Sequence, residues 1–355
     1  MERNKVSRNI VLVLLLCILI ILISMSVQYL GIAERLNNGS TLFGTKKTIK
    51  IGFSLGTLKE ERWVKDRDIL MAKVKELGAD IIVQNANNDD QDQLKQVKYL
   101  LNQGIDVLII VPNDYEKASY AVELAKRQGV KVISYDRLVL GSNVDLYISF
   151  DNDRVGELMA KYVLDKVPAG NVVIINGAKS DNNTRLIKIG YDKLLQPEID
   201  GKKIKLITEE WAPNWMKEYA FQVTDELLQE NKHIDAIIAG NDGLAEGAIE
   251  ALSEHRLAGD VIVVGQDADL AACQRIVEGT QLMTVYKPIE KLADAAAKMA
   301  VDLARGEKIN LPNTIYDGKY NVPYYMLVPT PVDKNNIDET IIKDGFHMHE
   351  EVYGY

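Results

Sequence analysis

The sequence is poor in the residues that staple or arm a protein. Among 355 residues there are two cysteines, Cys17 inside an apolar run and Cys273 far beyond it. No disulfide can therefore form within the part that follows the run, and its fold must rest on an apolar core. Four histidines exclude a His-rich metal site. His347 and His349 form one H-x-H ahead of Glu350 and Glu351, in a polar tail of the kind that is usually unordered. There is no G-x-S-x-G, no H-E-x-x-H, no phosphate loop, and no G-x-G-x-x-G after the first strand. The balance of 42 basic and 51 acidic residues gives a net charge of −9. A chain of that charge lacks the clustered cations that phosphate backbones require.

What is present begins with VLVLLLCILIILISMS. From Ile10 to Met25 no residue is charged, and Ile10–Ile32 has the length of a spanning helix, with Tyr29 as an interfacial aromatic. Arg3, Lys5 and Arg8 precede it, which places the N-terminus in the cytoplasm and the rest outside. Ser24-Met25-Ser26 is a poor cleavage site, and Cys17 follows three leucines in mid-run rather than small residues at its end. The expectation is an uncleaved anchor over residues 10–32, with a cytoplasmic stretch 1–9 before it and a juxtamembrane linker 33–48 after it.

Beyond the linker, strand-length apolar runs alternate with helical patterns. IKIGFSL (49–55) reads as a strand, Arg62–Leu77 as a helix, then IIVQ, a helix over Asp90–Asn102, VLIIVP, a helix, VKVISYDR and LYISFDN. A second set from Asp153 runs through VVIING, IKLITEEW, DAIIAGND, VIVVGQD and LMTVYKP, each separated by a helix. Gly104, Gly129 and Gly170 precede strands, as helix C-caps do. Such alternation implies parallel sheets covered on both faces, here two doubly wound α/β lobes.

In open parallel sheets, ligands bind beyond the carboxyl ends of the strands. At those ends stand carboxylates, amides, Arg, Lys and all three tryptophans, Trp63, Trp211 and Trp215. A cleft between two lobes gathers them. The inventory suits a small sugar, because hydroxyls donate and accept and indole rings offer flat apolar faces. Asp242 and Asp267 could pair as in a glycosidase, but Asn241-Asp242 opening a helix serves equally as an N-cap. No catalytic constellation stands out, so no enzyme, metal or cofactor is expected.

At these residues the chain resembles the bacterial periplasmic D-xylose-binding proteins, within the wider ribose and galactose group. The resemblance is carried by ERWVKDRDI (61–69), SYDR (134–137), YISFDNDRVGELMAK (147–161), SDNN (180–183), IDAIIAGNDG (234–243), GQDADLA (265–271), GTQLMTVYKPI (279–289) and KNNIDETIIKDGFH (334–347). It implies two α/β lobes of periplasmic-binding-protein type 1, joined by three crossover segments and closing on the sugar. The N-terminal lobe is expected over 49–151 plus about 287–314, and the C-terminal lobe over 152–286 plus about 315–347, with 348–355 as a tail. It implies sugar contacts from Arg62, Trp63, Asp136, Arg137, Asp181, Asn183, Trp215, Asn241, Asp267 and Lys287. Trp63 and Trp215 would offer opposed stacking faces. Trp211 and Asp242 match neighbouring positions and are not counted as contacts.

The expected function is a membrane-anchored, extracytoplasmic D-xylose-binding protein whose closed form is read by a membrane sensor histidine kinase. Delivery of xylose to an ABC permease is the alternative. A sugar-responsive transcription factor of the same two-lobe kind would carry a basic helix-turn-helix before the first strand, where this chain has the apolar run.

Overall fold

The computed structural model describes residues 18, 19, 21–23, 25, 26 and 48–354. The seven described residues before Thr48 are helical and exposed. The expected anchor over 10–32 otherwise lies outside the described residues, as do the basic start and almost all of the linker. Among the described residues no helix is long and apolar enough to cross a membrane. Residues 49–355 form a compact unit of their own.

That unit holds two sheets. The first is built from β1 (Lys50–Leu55), β2 (Asp80–Asn85), β3 (Val107–Val111), β4 (Lys131–Tyr135), β5 (Leu146–Phe150), β11 (Thr314–Tyr316) and β12 (Asn321–Leu327), in the order β11-β12-β5-β4-β3-β1-β2. The second contains β6 (Gly170–Asn176), β7 (Ile204–Trp211), β8 (Ala236–Ala239), β9 (Ile262–Gln266), β10 (Met283–Tyr286) and β13 (Thr330–Asp333), in the order β13-β10-β9-β8-β6-β7. All neighbours are parallel except β11 on β12 and β13 on β10, so both sheets are mixed.

Parallel strands buried on both faces are apolar throughout, and β3 shows why. In VLIIV every residue is buried; Val107, Ile109 and Val111 face one core, Leu108 and Ile110 the other. Burial of each such side chain contributes about 1.5–3 kcal/mol. The first core lies under α1 (Glu61–Glu76) and α9 (Ile289–Ala304), the second under α2 (Asp90–Asn102) and α3 (Ser119–Arg127). In the second sheet Val173 and Ile175 face α6 (Lys217–Gln229) and α7 (Asp242–Glu254). Val172 and Ile174 face α4 (Asn152–Lys166) and α5 (Asn182–Asp200).

The helices begin where the sequence supplies caps. Asp89, Asp151, Asp181 and Asn241 each precede a helix and accept a backbone N–H of its first turn. Such a cap contributes about 1 kcal/mol. Gly104 and Gly129 follow helices with φ of +70° and +77°, whereas Gly170 is the first residue of β6 rather than a cap.

The chain leaves the first sheet after β5, returns to it after β10, and crosses again between β12 and β13. The third crossing differs from expectation. Residues 315–327 were expected with the C-terminal lobe, yet β12 pairs in parallel with β5, and β11 pairs with β12. Sheet membership of a late strand is decided by a distant partner, and no local pattern marks it. The tail also differs from an unordered one. A turn of π-helix at Asp338–Ile342 leads to α10 (His349–Tyr353), where Val352 is buried.

In the second lobe, α4 crosses α5 with no room for a side chain. A Cβ at Gly156 would collide with the Ile187 carbonyl oxygen, and one at Gly190 with that of Asp153. Gly156→Ala is expected to destabilise the protein by about 1–3 kcal/mol or more. The measurement is urea unfolding, where the midpoint should fall with little change in slope.

Candidate functional site

Seven chain segments that end strands or open helices meet between the two sheets. Arg62 and Trp63 lie in the first turn of α1, after β1. Asp136 and Arg137 follow β4 directly. Asp181 caps α5, and Asn183 lies in its first turn. Trp215 ends a single 3-10 turn, Pro213–Trp215, after β7. Asn241 caps α7 after β8, Asp267 follows β9, and Lys287 follows β10.

All ten residues line one cavity. Glu60 and Gln266 line it as well. Neither is among the expected contacts, although Glu60 stands two positions before Arg62, and Gln266 stands beside Asp267 in the quoted GQDADLA. Trp211, at the end of β7, does not line it and carries Lys179 near its ring. Asp242 does not line it either. Its carboxylate accepts from Gln281 Nε2, Thr284 Oγ1 and the Asp269 N–H, tying α7 to β10.

The polar groups are organised by charge. Arg62 is 4% exposed; its Nε donates to Asp66 at 3.1 Å, its Nη2 to Asp136 at 2.8 Å, and its Nη1 lies 3.5 Å from Asp267. Asp267 also meets Lys287 Nζ at 2.6 Å. Arg137 Nε lies 2.7 Å from Asp181. Three buried cations thus face Asp66, Asp136, Asp181 and Asp267. Burial alone would lower the pKa of Arg62, but Asp136, Asp66 and Asp267 outweigh it and raise it well above the ordinary value. Burial would raise Asp136, yet Arg62, Lys287 and Arg137 hold it below the usual carboxylate range. For Asp181 burial prevails over Arg137, and its pKa is raised.

Several of these contacts bridge the lobes. Arg62 belongs to the first and Asp267 to the second, as do Arg137 and Asp181. Asn183 Nδ2 donates across the cleft to Asp136 Oδ1 at 3.0 Å and to its carbonyl at 3.1 Å. That carbonyl also accepts from Tyr147 Oη and Ser149 Oγ. The lobes are therefore in a closed arrangement.

The two indoles sit differently. The guanidinium carbons of Arg62 and Arg137 lie 4.3 and 5.1 Å from the Trp63 ring centroid, so this ring supports both cations as well as forming wall. Trp215 lies against the bare backbones of Gly177 and Gly240; a Cβ on Gly177 would run into its ring. Trp215 Nε1, Gln266 Oε1 and Glu60 Oε2 are buried with no hydrogen-bond partner among the described residues. A donor and two acceptors at the wall are therefore available to a ligand that can both donate and accept. The H-x-H does not form a pair: His347 is buried with its Nε2 2.8 Å from the Ala268 carbonyl, while His349 stacks on Tyr353. Among the described residues no cluster of metal-ligating side chains is present.

A family model described as "Periplasmic binding protein domain" matches residues 51–308. The "D-xylose-binding periplasmic protein" of Haemophilus influenzae is 48% identical over 308 residues, covering 86% of this chain and 93% of that one. The protein of the same name from Escherichia coli is 45% identical over 307 residues, with the same coverages of 86% and 93%. Among solved structures, a carbohydrate transporter solute binding protein from Chloroflexus aurantiacus in complex with D-glucose has a TM-score of 0.81. It is 29% identical, and the match covers 86% of this chain and 98% of that one. The chain belongs to the periplasmic binding protein family, and its similarity to D-xylose-binding members runs through most of its length.

Proposed function

We propose that this protein binds D-xylose in the cleft between its lobes, which close on the sugar, and that it is a receptor rather than an enzyme. One observation carries the reading: the ten positions implied by the resemblance are all buried and line a single cavity. The names of the two relatives at 48% and 45% identity supply the pentose. Charged hydrogen bonds to hydroxyls contribute about 1.5–3 kcal/mol each, so three cations and their carboxylates can fix one small polyol firmly. Arg62, Asp136, Arg137, Asp181, Asn183, Asn241, Asp267 and Lys287 bind hydroxyls in this reading. Trp63 and Trp215 form the apolar walls. Neither a cofactor nor a nucleic acid has a part in it.

Two downstream roles follow from different features. The similarity to a carbohydrate transporter's solute binding protein favours delivery of xylose to an ABC permease. The apolar run Ile10–Ile32, with Arg3, Lys5 and Arg8 before it, favours a single-pass membrane protein with its lobes outside the cell. A receptor so held can present its closed form to a membrane sensor histidine kinase, since closure supplies the two states that signalling requires.

Calorimetry on the purified full-length chain should show D-xylose binding more tightly than D-ribose or L-arabinose, and absence of heat with xylose would overturn the reading. Asp267→Ala leaves Lys287 buried without its nearest carboxylate, so affinity should fall by about 2–5 kcal/mol, roughly 30-fold or more. An unchanged affinity would remove Asp267 from the site. For the downstream role, the gene is deleted and xylose uptake is measured separately from xylose-induced transcription. Lost induction with intact uptake supports sensing, and lost uptake with normal induction supports delivery.

A further inference from the structure

Asp66 lines no part of the cavity, yet it is 0% exposed and touches the residue at the centre of the site. It stands one helical turn after Arg62 on α1, the spacing at which two side chains share a face. Its Oδ2 accepts from Arg62 Nε at 3.1 Å, and its Oδ1 accepts from Tyr135 Oη at 2.5 Å. Tyr135 ends β4, is fully buried, and is itself held edge-on by Phe53 at 5.8 Å between centroids. The residue after it is Asp136, which accepts from Arg62 Nη2. A continuous run of hydrogen bonds thus leads from the core of the first lobe to the wall of the cleft: Tyr135, Asp66, Arg62, Asp136.

We infer that Asp66, anchored by Tyr135, is a positioning residue for sugar binding: it takes the Nε edge of Arg62 so that both terminal nitrogens are aimed into the cleft. The inference rests on the reading of the cleft as a sugar site. An arginine has several rotatable bonds, and a binder that must order it on closure loses affinity to that ordering. With Nε held by a buried carboxylate, Nη1 and Nη2 already point at Asp267 and Asp136 before any ligand contact is made. The second lobe then closes on a fixed fork rather than a mobile cation.

The charge of Asp66 gives this role a signature. Burial raises its pKa, against Arg62 and the Tyr135 hydroxyl, to about 6. Arg62, Tyr135 and Asp136 are the titratable groups that face it. Protonation as pH falls through that value removes one of the three carboxylates from Arg62 and loosens the Nε contact.

The test is D-xylose affinity by calorimetry on the full-length chain from pH 7.5 to 5, with thermal unfolding of the sugar-free protein beside it. Asp66→Asn keeps the shape and removes the charge. It should weaken binding about tenfold or more at pH 7.5, and its affinity should lack the decline with falling pH that the unmodified chain shows near 6. Tyr135→Phe removes only the hydroxyl and should weaken binding by a smaller factor. Loss of that hydrogen bond raises the Asp66 pKa further, so the decline should begin at higher pH. If Asp66→Asn does not fold, Tyr135→Phe decides the matter alone. Affinities within twofold of the unmodified chain, with the same pH profile and only a lower unfolding temperature, would make Asp66 a structural residue and overturn the inference. No binding of xylose by the unmodified chain would overturn the reading beneath it.

Discussion

The site depends on a buried guanidinium. Arg62 is almost fully removed from water, and an unpaired charge in such a place costs several kcal/mol. Two of its carboxylates, Asp66 and Asp136, come from its own lobe, and the third, Asp267, comes from the other. The second lobe thus supplies the last counter-charge to a cation that two carboxylates of its own lobe hold. Lys287 meets the same Asp267, so one carboxylate serves two cations and fastens the second lobe's strand ends to the first lobe's helix. The rest of the cavity is arranged around this centre. Asn183 binds the carboxylate that Arg62 holds, and Trp63 lies under both guanidiniums.

Holding such a centre requires backbone that few residues adopt willingly. Asp136, Trp215 and Asp267 all have positive φ, at +59°, +55° and +101°. Left-handed geometry at residues other than glycine costs of order 1–3 kcal/mol, and it persists only where the surroundings dictate it. Each of the three follows a strand that is locked in a sheet, and the Asp136 carbonyl is fixed by three donors. The cores of β3 and β6 thus do more than stabilise the lobes. They provide the rigidity against which strained strand-end residues can be aimed.

Much of this was legible in the sequence, for identifiable reasons. The helix over Asp90–Asn102 has the expected bounds, because Asp89 caps it and Gly104 follows it. The alternation of apolar runs and helical patterns reports burial on both faces directly, as β3 illustrates. The ten site positions could be placed together because strand ends in parallel sheets lie on one edge, and the resemblance fixed which of them to choose. The rest depends on contacts distant in sequence or on geometry with no pattern. The pairing of β12 with β5 joins residues more than 170 positions apart. Gly156 and Gly190 carry no local signal of their close helix crossing. Asp66 reads as one charge among several in VKDRD, and only the fold turns it inward. Glu60 and Gln266 stand two positions before Arg62 and one before Asp267, but nearness in sequence alone cannot separate a wall from a neighbour.

The closed form is also held by groups outside the cavity. At the start of α1, Glu61 accepts the Leu270 N–H of the second lobe at 3.1 Å. Lys65 donates to the Phe346 carbonyl at 3.2 Å and lies over the Phe346 ring. It also lies 3.2 Å from His347 Nδ1. Since His347 Nε2 faces a carbonyl and must carry the proton, Nδ1 is left to accept from Lys65. Burial, helped by the nearby Lys65, lowers the His347 pKa, in keeping with this arrangement. The tail is thereby seated against the first lobe by contacts that bridge the two lobes. Part of the free energy of closure then belongs to the protein rather than to the ligand. Apparent affinity for a sugar is set by both, because a ligand that selects a closed state gains whatever that state already contributes. On the proposed receptor reading, a partner would not need to meet the sugar at all. The register of the lobe edges and the tail would itself report closure, because Glu61 and Lys65 bridge them directly.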